Sequence, residues 1–121
     1  MADLLLVEDE PNVALSLAFL MRQEGHALRH VATLAEARRA LREQPPDLLL
    51  LDVMLPDGNG IDLCREVRQR PDLSGVRVLL VSARGREADR EAATAAGADG
   101  YVTKPFAIRD VIDRVAALLA R

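Results

Sequence analysis

The chain has 121 residues, enough to bury one hydrophobic core and too few for two. Half of the residues are apolar but only 2% are aromatic, so the core of this globular protein has to be aliphatic. A formal charge of −3 gives no bulk electrostatic reason to expect direct nucleic-acid binding.

The first segment, MADLLLVEDE, lacks a basic region, and its apolar run is too short for a signal peptide or a membrane span. A cytoplasmic protein with no membrane partner is therefore expected. Leu4–Val7 is a short apolar run without polar alternation, as in a strand buried on both faces, although periodicity alone leaves a buried helix segment open. Asn12–Gln23 carries Val13, Leu17 and Leu20–Met21 at helical spacing, with Pro11 suited to a first turn and Gly25 to the end. Ala27–Val31 is a weaker strand. Leu34–Arg42 is a helix after Thr33, a good N-cap, with Glu36 placed for a capping box. Leu48–Leu51 is the most apolar strand. The helix Ile61–Arg70 stops before Pro71 and contains Cys64. As the single cysteine, Cys64 excludes an internal disulfide and a cysteine-built metal site, and reads as a small buried residue. Val76–Val81 is a third apolar strand, Arg86–Ala96 a helix ended by Gly97, and Asp99–Val102 a weaker strand. Ile108–Ala120 closes the chain with Ile108, Val111, Ile112, Val115 and Leu118–Leu119 on one face. Strand and helix alternate five times without a linker. This predicts one α/β domain over residues 1–121, a parallel sheet with helices on both faces and right-handed crossovers.

In such sheets ligands bind beyond the carboxyl ends of the strands, where the winding reverses. Glu8 and Asp9 follow the first strand, Asp52 the third, Ser82 the fourth, and Thr103, Lys104 and Pro105 the fifth. Lys104 is the only lysine among sixteen basic residues. A uniform draw would place it at this strand end about once in sixteen, and an ammonium is a compact point charge where arginine offers a planar fork. Like-charged carboxylates about 4 Å apart repel by on the order of 4 kcal/mol each at an effective dielectric near 20. Lys104 and a hard cation such as Mg²⁺ can offset that repulsion. A carboxylate can also attack phosphorus, and phosphoryl transfer asks mainly for positioning and charge neutralisation. Asp52, ending the most apolar strand, is the candidate nucleophile, with Glu8 and Asp9 as metal ligands. Lys104 and Ser82 would each take a phosphoryl oxygen.

LLLVEDE at 4–10, DVMLPDGNG at 52–60, VSA at 81–83 and TKPF at 103–106 together resemble the four signature segments of response-regulator receiver domains. The resemblance covers the whole chain in order and spacing. It implies a flavodoxin-like three-layer sandwich with five parallel strands in the order 2-1-3-4-5. It makes Asp52 the phosphoacceptor and Asp9 a direct Mg²⁺ ligand. Glu8 would bind chiefly through water, and the Met54 backbone carbonyl would complete the protein's ligands. Lys104 would pair with the phosphoryl oxygens, and the Lys104–Pro105 peptide is expected to be cis. Ser82 matches the switch hydroxyl and Tyr101 the switch aromatic, which would turn inward on phosphorylation. Met54 and Arg84 flank the site, and their long side chains are expected to slow hydrolysis of the acyl phosphate.

The implied partners are a sensor histidine kinase or histidine phosphotransfer protein, and an effector reading the face of the fourth helix, fifth strand and fifth helix. The implied chemistry is confined to the domain's own phosphorylation and dephosphorylation, so it is not an enzyme acting on a separate substrate. Gly100 and Ala116 stand where related winged-helix proteins often carry an acid and a base. Asp99 and Arg114 remain for one inter-subunit ion pair, which puts a symmetric dimer through that face in doubt. The rival readings are weaker. A flavodoxin-type nucleotide binder would want a glycine-rich phosphate loop after the first strand, where this chain has EDEPN. A haloacid-dehalogenase-type phosphatase would want an aspartate at Met54. A degenerate receiver that only binds proteins would be expected to lack an acid or the lysine, and here all are present.

Overall fold

The computed structural model describes residues 2–121. The chain runs through β1 (Asp3–Val7), α1 (Pro11–Gln23), β2 (Ala27–Val31), α2 (Leu34–Glu43) and β3 (Leu48–Asp52). A two-residue hairpin follows, β4 (Met54–Leu55) and β5 (Gly58–Asn59), then α3 (Gly60–Gln69), β6 (Arg77–Ser82), α4 (Glu87–Ala95), β7 (Gly100–Thr103) and α5 (Ile108–Leu119). The main sheet has five parallel strands in the order β2-β1-β3-β6-β7, the expected 2-1-3-4-5 once the hairpin is set aside.

Layering explains the absence of polar alternation. Leu5, Val7, Leu49, Leu51, Val78 and Leu80 share a core with residues of α2, α3 and α4, such as Leu41, Val67 and Ala93. Their neighbours Leu4, Leu6, Leu48, Leu50, Leu79 and Val81 pack instead with α1 and α5, against Leu17, Met21, Val111 and Val115. Each side of the sheet is covered, so both sets of alternate residues are apolar. Cys64 is fully buried, as expected, and burial pushes its thiol above the ordinary value of 9.0.

The caps are where local sequence meets tertiary contact. Pro11 is the first residue of α1. The Thr33 hydroxyl accepts the Glu36 N–H at 3.1 Å, and the Glu36 carboxylate reaches back to the Ala32 N–H at 3.3 Å, one residue earlier than the capping box predicts. Two further free N–H groups of α2 find their acceptor outside the helix's own sequence. Leu34 and Ala35 donate to the Asp57 carboxylate at 2.8 and 3.0 Å, and these bonds hold that carboxyl below the ordinary value of 3.8. α4 ends at Gly97 with φ +94, a left-handed conformation that glycine adopts without strain.

Candidate functional site

Parallel pairing brings the strand ends level. Val7 lies opposite Leu51, Asp52 opposite Val81, and Ser82 opposite Thr103. The chain leaves β1 for α1 on one face of the sheet and leaves β3 for α3 on the other. The crevice between them is the reversal point at which ligands bind in such folds. Backbone bonds fix the loops there: Val53 N–H donates to the Val81 carbonyl at 3.0 Å, and Lys104 N–H to the Ser82 carbonyl at 2.7 Å.

Glu8, Asp9 and Asp52 each present a carboxylate oxygen within 4.8 Å of the others, an all-oxygen set suited to a hard cation. Glu8 and Asp52 are buried and Asp9 is exposed. The Lys104 ammonium lies between them, 2.8 Å from Glu8 Oε1 and 3.0 Å from Asp52 Oδ2. Desolvation raises the Glu8 carboxyl above its ordinary value of 4.5 and Asp52 adds to the rise; hydrogen bonds from Lys104 and from the Glu10 N–H oppose it. Burial works against the Lys104 charge, yet bonds to Glu8 and Asp52 and their negative charge outweigh it and push the ammonium up to about 12. The Met54 N–H donates to Asp52 Oδ1 at 3.2 Å, so both Asp52 oxygens are held. The Lys104–Pro105 peptide is cis.

Ser82 is fully buried, and its Oγ accepts the Arg84 N–H at 3.1 Å. That bond uses a lone pair and leaves the hydroxyl proton free to donate. Tyr101 is 7% exposed, with its hydroxyl donating to the Arg84 carbonyl at 2.5 Å. The Tyr101 ring is thus turned inward in this structure. Met54, on β4, is 53% exposed, and Arg84, on the loop after β6, is exposed. Asp99 and Arg114 are engaged within the chain. Asp99 accepts from Arg68 and from the Val78 N–H at 2.7 and 2.8 Å, and Arg114 pairs with Asp110 at 3.2 Å.

The sequence-predicted residues Glu8, Asp9, Asp52, Met54, Ser82 and Lys104 therefore converge at one sheet edge, with Tyr101 behind Arg84. Three neighbours were not anticipated. Glu10 Oε1 lies 3.6 Å from the Lys104 ammonium, and its place in the acidic run EDE was the signal for it. His30 Nε2 meets the Glu8 carbonyl at 2.7 Å, bringing the second strand to the site although nothing after that strand pointed there. The Arg90 guanidinium lies over the Tyr101 ring at 5.2 Å, a contact across two elements that no local pattern encodes. Among the described residues, no helix is long and apolar enough to cross a membrane.

The family model described as the response regulator receiver domain matches residues 4–116. The chain is 41% identical over 116 residues to the phosphate regulon transcriptional regulatory protein PhoB of Rhizobium meliloti, covering 96% of this chain and 51% of that protein. It is 44% identical over 125 residues to the sensory transduction protein RegX3 of Mycobacterium tuberculosis, covering 100% of this chain and 52% of that one. The chain thus spans about half the length of these relatives. Among solved structures, a putative response regulator from Chloroflexus aurantiacus superposes with a TM-score of 0.93 at 36% identity, over 99% of this chain and 98% of that one.

Proposed function

The chain belongs to the response regulator receiver domain family, and from that premise we propose that Asp52 accepts a phosphoryl group from a sensor histidine kinase or histidine phosphotransfer protein in a Mg²⁺-dependent reaction. The observation that carries this reading is the single lysine seated between the buried carboxylates of Glu8 and Asp52.

An Asp52 oxygen forms the bond to phosphorus as the donor's P–N bond breaks, and the departing imidazole takes up a proton. Asp52 is positioned for this because the Met54 N–H and Lys104 fix both of its oxygens. Lys104 then turns its charge to the incoming phosphoryl oxygens, and Ser82 donates its free hydroxyl proton to another. Asp9, Asp52 and the Met54 carbonyl, with Glu8 chiefly through water, would hold Mg²⁺, which would supply further neutralisation of the equatorial oxygens. An apolar hollow of about 570 Å³ beside Lys104, walled by Val13, Leu17, Pro105, Phe106 and Ile108, leaves room for the donor. The chemistry is confined to the domain's own phosphorylation and dephosphorylation. Ser82 and Tyr101 carry the resulting change to the face formed by α4, β7 and α5, which a downstream effector reads.

Incubation with acetyl phosphate and Mg²⁺, read by intact mass, tests the reading. The wild-type chain should gain one phosphoryl mass, and neither Asp52→Ala nor the wild type with excess chelator should gain any. A phosphoryl mass on Asp52→Ala would refute the assignment.

A further inference from the structure

Arg90 sits on α4, exposed to solvent, and makes no ion pair among the described residues. The preceding residue, Asp89, pairs with Arg86, and neither Glu87 nor Glu91 on the same helix pairs with Arg90. Arg90 instead donates from Nη2 to the Thr103 hydroxyl at 2.9 Å and lays its guanidinium over the Tyr101 ring at 5.2 Å. Thr103 therefore acts as an anchor that aims a delocalised cation at the ring face, the geometry in which an aromatic quadrupole attracts it. The tyrosine is closed in from other sides as well, by the Arg84 carbonyl at its hydroxyl and by Arg114, which reaches its backbone carbonyl at 3.4 Å.

We infer that Arg90 is a positioning residue that latches Tyr101 inward. The latch rests on the reading of Tyr101 as the switch residue. Turning the ring outward breaks the bond to the Arg84 carbonyl and removes the ring from the guanidinium, while the Arg90–Thr103 bond can stay. The contact therefore belongs to one of the two positions, which is the condition for a group to shift an equilibrium. An exposed contact of this kind shifts the inward-to-outward ratio by about two- to five-fold. Because coupling is reciprocal, the same factor favours phosphorylation, for a tyrosine already seated leaves less rearrangement for the phosphoryl group to drive.

The composition supplies the assay. Tyr101 is the only tyrosine and there is no tryptophan, so the chain's tyrosine fluorescence reports on this ring alone. Acrylamide quenching is measured on the wild type, Arg90→Gln and Arg90→Lys without phosphodonor, with circular dichroism to show that each is folded. The quenching constant should rise about two-fold or more in Arg90→Gln, with Arg90→Lys in between because it keeps a cation without the planar fork. Thr103→Val, which removes the anchor but keeps the shape, should move the same way and serves if Arg90→Gln does not fold. Equal quenching in the wild type and a folded Arg90→Gln would overturn the proposal. So would a wild-type ring as accessible as that of free tyrosine amide. None of these readings depends on phosphorylation, so failure of Asp52 to gain a phosphoryl mass would strike the proposed function and leave this measurement standing.

Discussion

Glu8 is 2% exposed, and its burial raises the carboxyl above 4.5 even with Lys104 at 2.8 Å. A raised acid means that the folded chain keeps a proton which the unfolded chain has released, so this residue's contribution to stability falls as pH rises from 4.5 through the elevated value. Glu8→Gln should therefore raise Tm by a few degrees near neutral pH without divalent cations, with the gain vanishing on acidification below 4.5. The same variant should show a smaller rise in Tm on adding Mg²⁺, because a ligand that binds only the folded state stabilises in proportion to its affinity. Lys104 titrates at the other end of the scale. Its stabilisation is whole below 10.5 and is lost as pH climbs through about 12. Met54 and Arg84 are expected to bear on lifetime: both are exposed, Met54 on β4 and Arg84 on the loop after β6, where long side chains would shield an acyl phosphate from water. Loss of phosphoryl mass over time should be several-fold faster in Met54→Asn and in Arg84→Ala, and unchanged rates would end that role. The acids, the lysine and the hydroxyl were legible in the sequence because each follows a strand. Glu10, His30 and Arg90 were not singled out, because what marks them is proximity across elements.

At the scale of elements, the junction of β3, the hairpin and α3 is the most constrained. A Cβ at Gly60 would lie 2.2 Å from the Asp52 backbone carbonyl oxygen, and backbone cannot step aside as a flexible side chain would. Gly60→Ala should cost at least the roughly 1–3 kcal/mol of an overpacked core, read by urea unfolding, and should lower the yield of phosphorylated protein by displacing Asp52. In the sequence this glycine is only the last residue of DVMLPDGNG, and the close approach behind it became visible only with the fold. The hairpin itself went unforeseen because two-residue strands are too short to show a period. The start of α2 divides in the same way. Thr33 and Glu36 lie within the helix's own sequence and were readable as a cap, whereas Asp57 reaches that helix from 22–23 residues away.

For the whole molecule, the two-sided sheet sets both stability and site geometry. Leu50 is fully buried in β3, the middle strand of the five, and belongs to the core shared with α1 and α5. Leu50→Ala should cost about 2–5 kcal/mol, seen as a lower urea midpoint in one cooperative transition. Apolar runs without alternation, helix periodicity, most caps and the chemistry at four of the five strand ends are properties of a few adjacent residues, so the sequence alone determined the five main strands and five helices, the α/β class and the residue types offered at the site. Strand order was legible only through the resemblance, since no local pattern states which strand lies beside which. Partner choice was decided by the tertiary structure. Asp99, a candidate for a contact between subunits, is engaged by Arg68, 31 residues away, and Lys104 finds Glu8 across 96 residues. Such pairings arise when packing brings distant segments within about 3 Å, a distance over which charge and hydrogen bonding act but which separation along the chain does not encode.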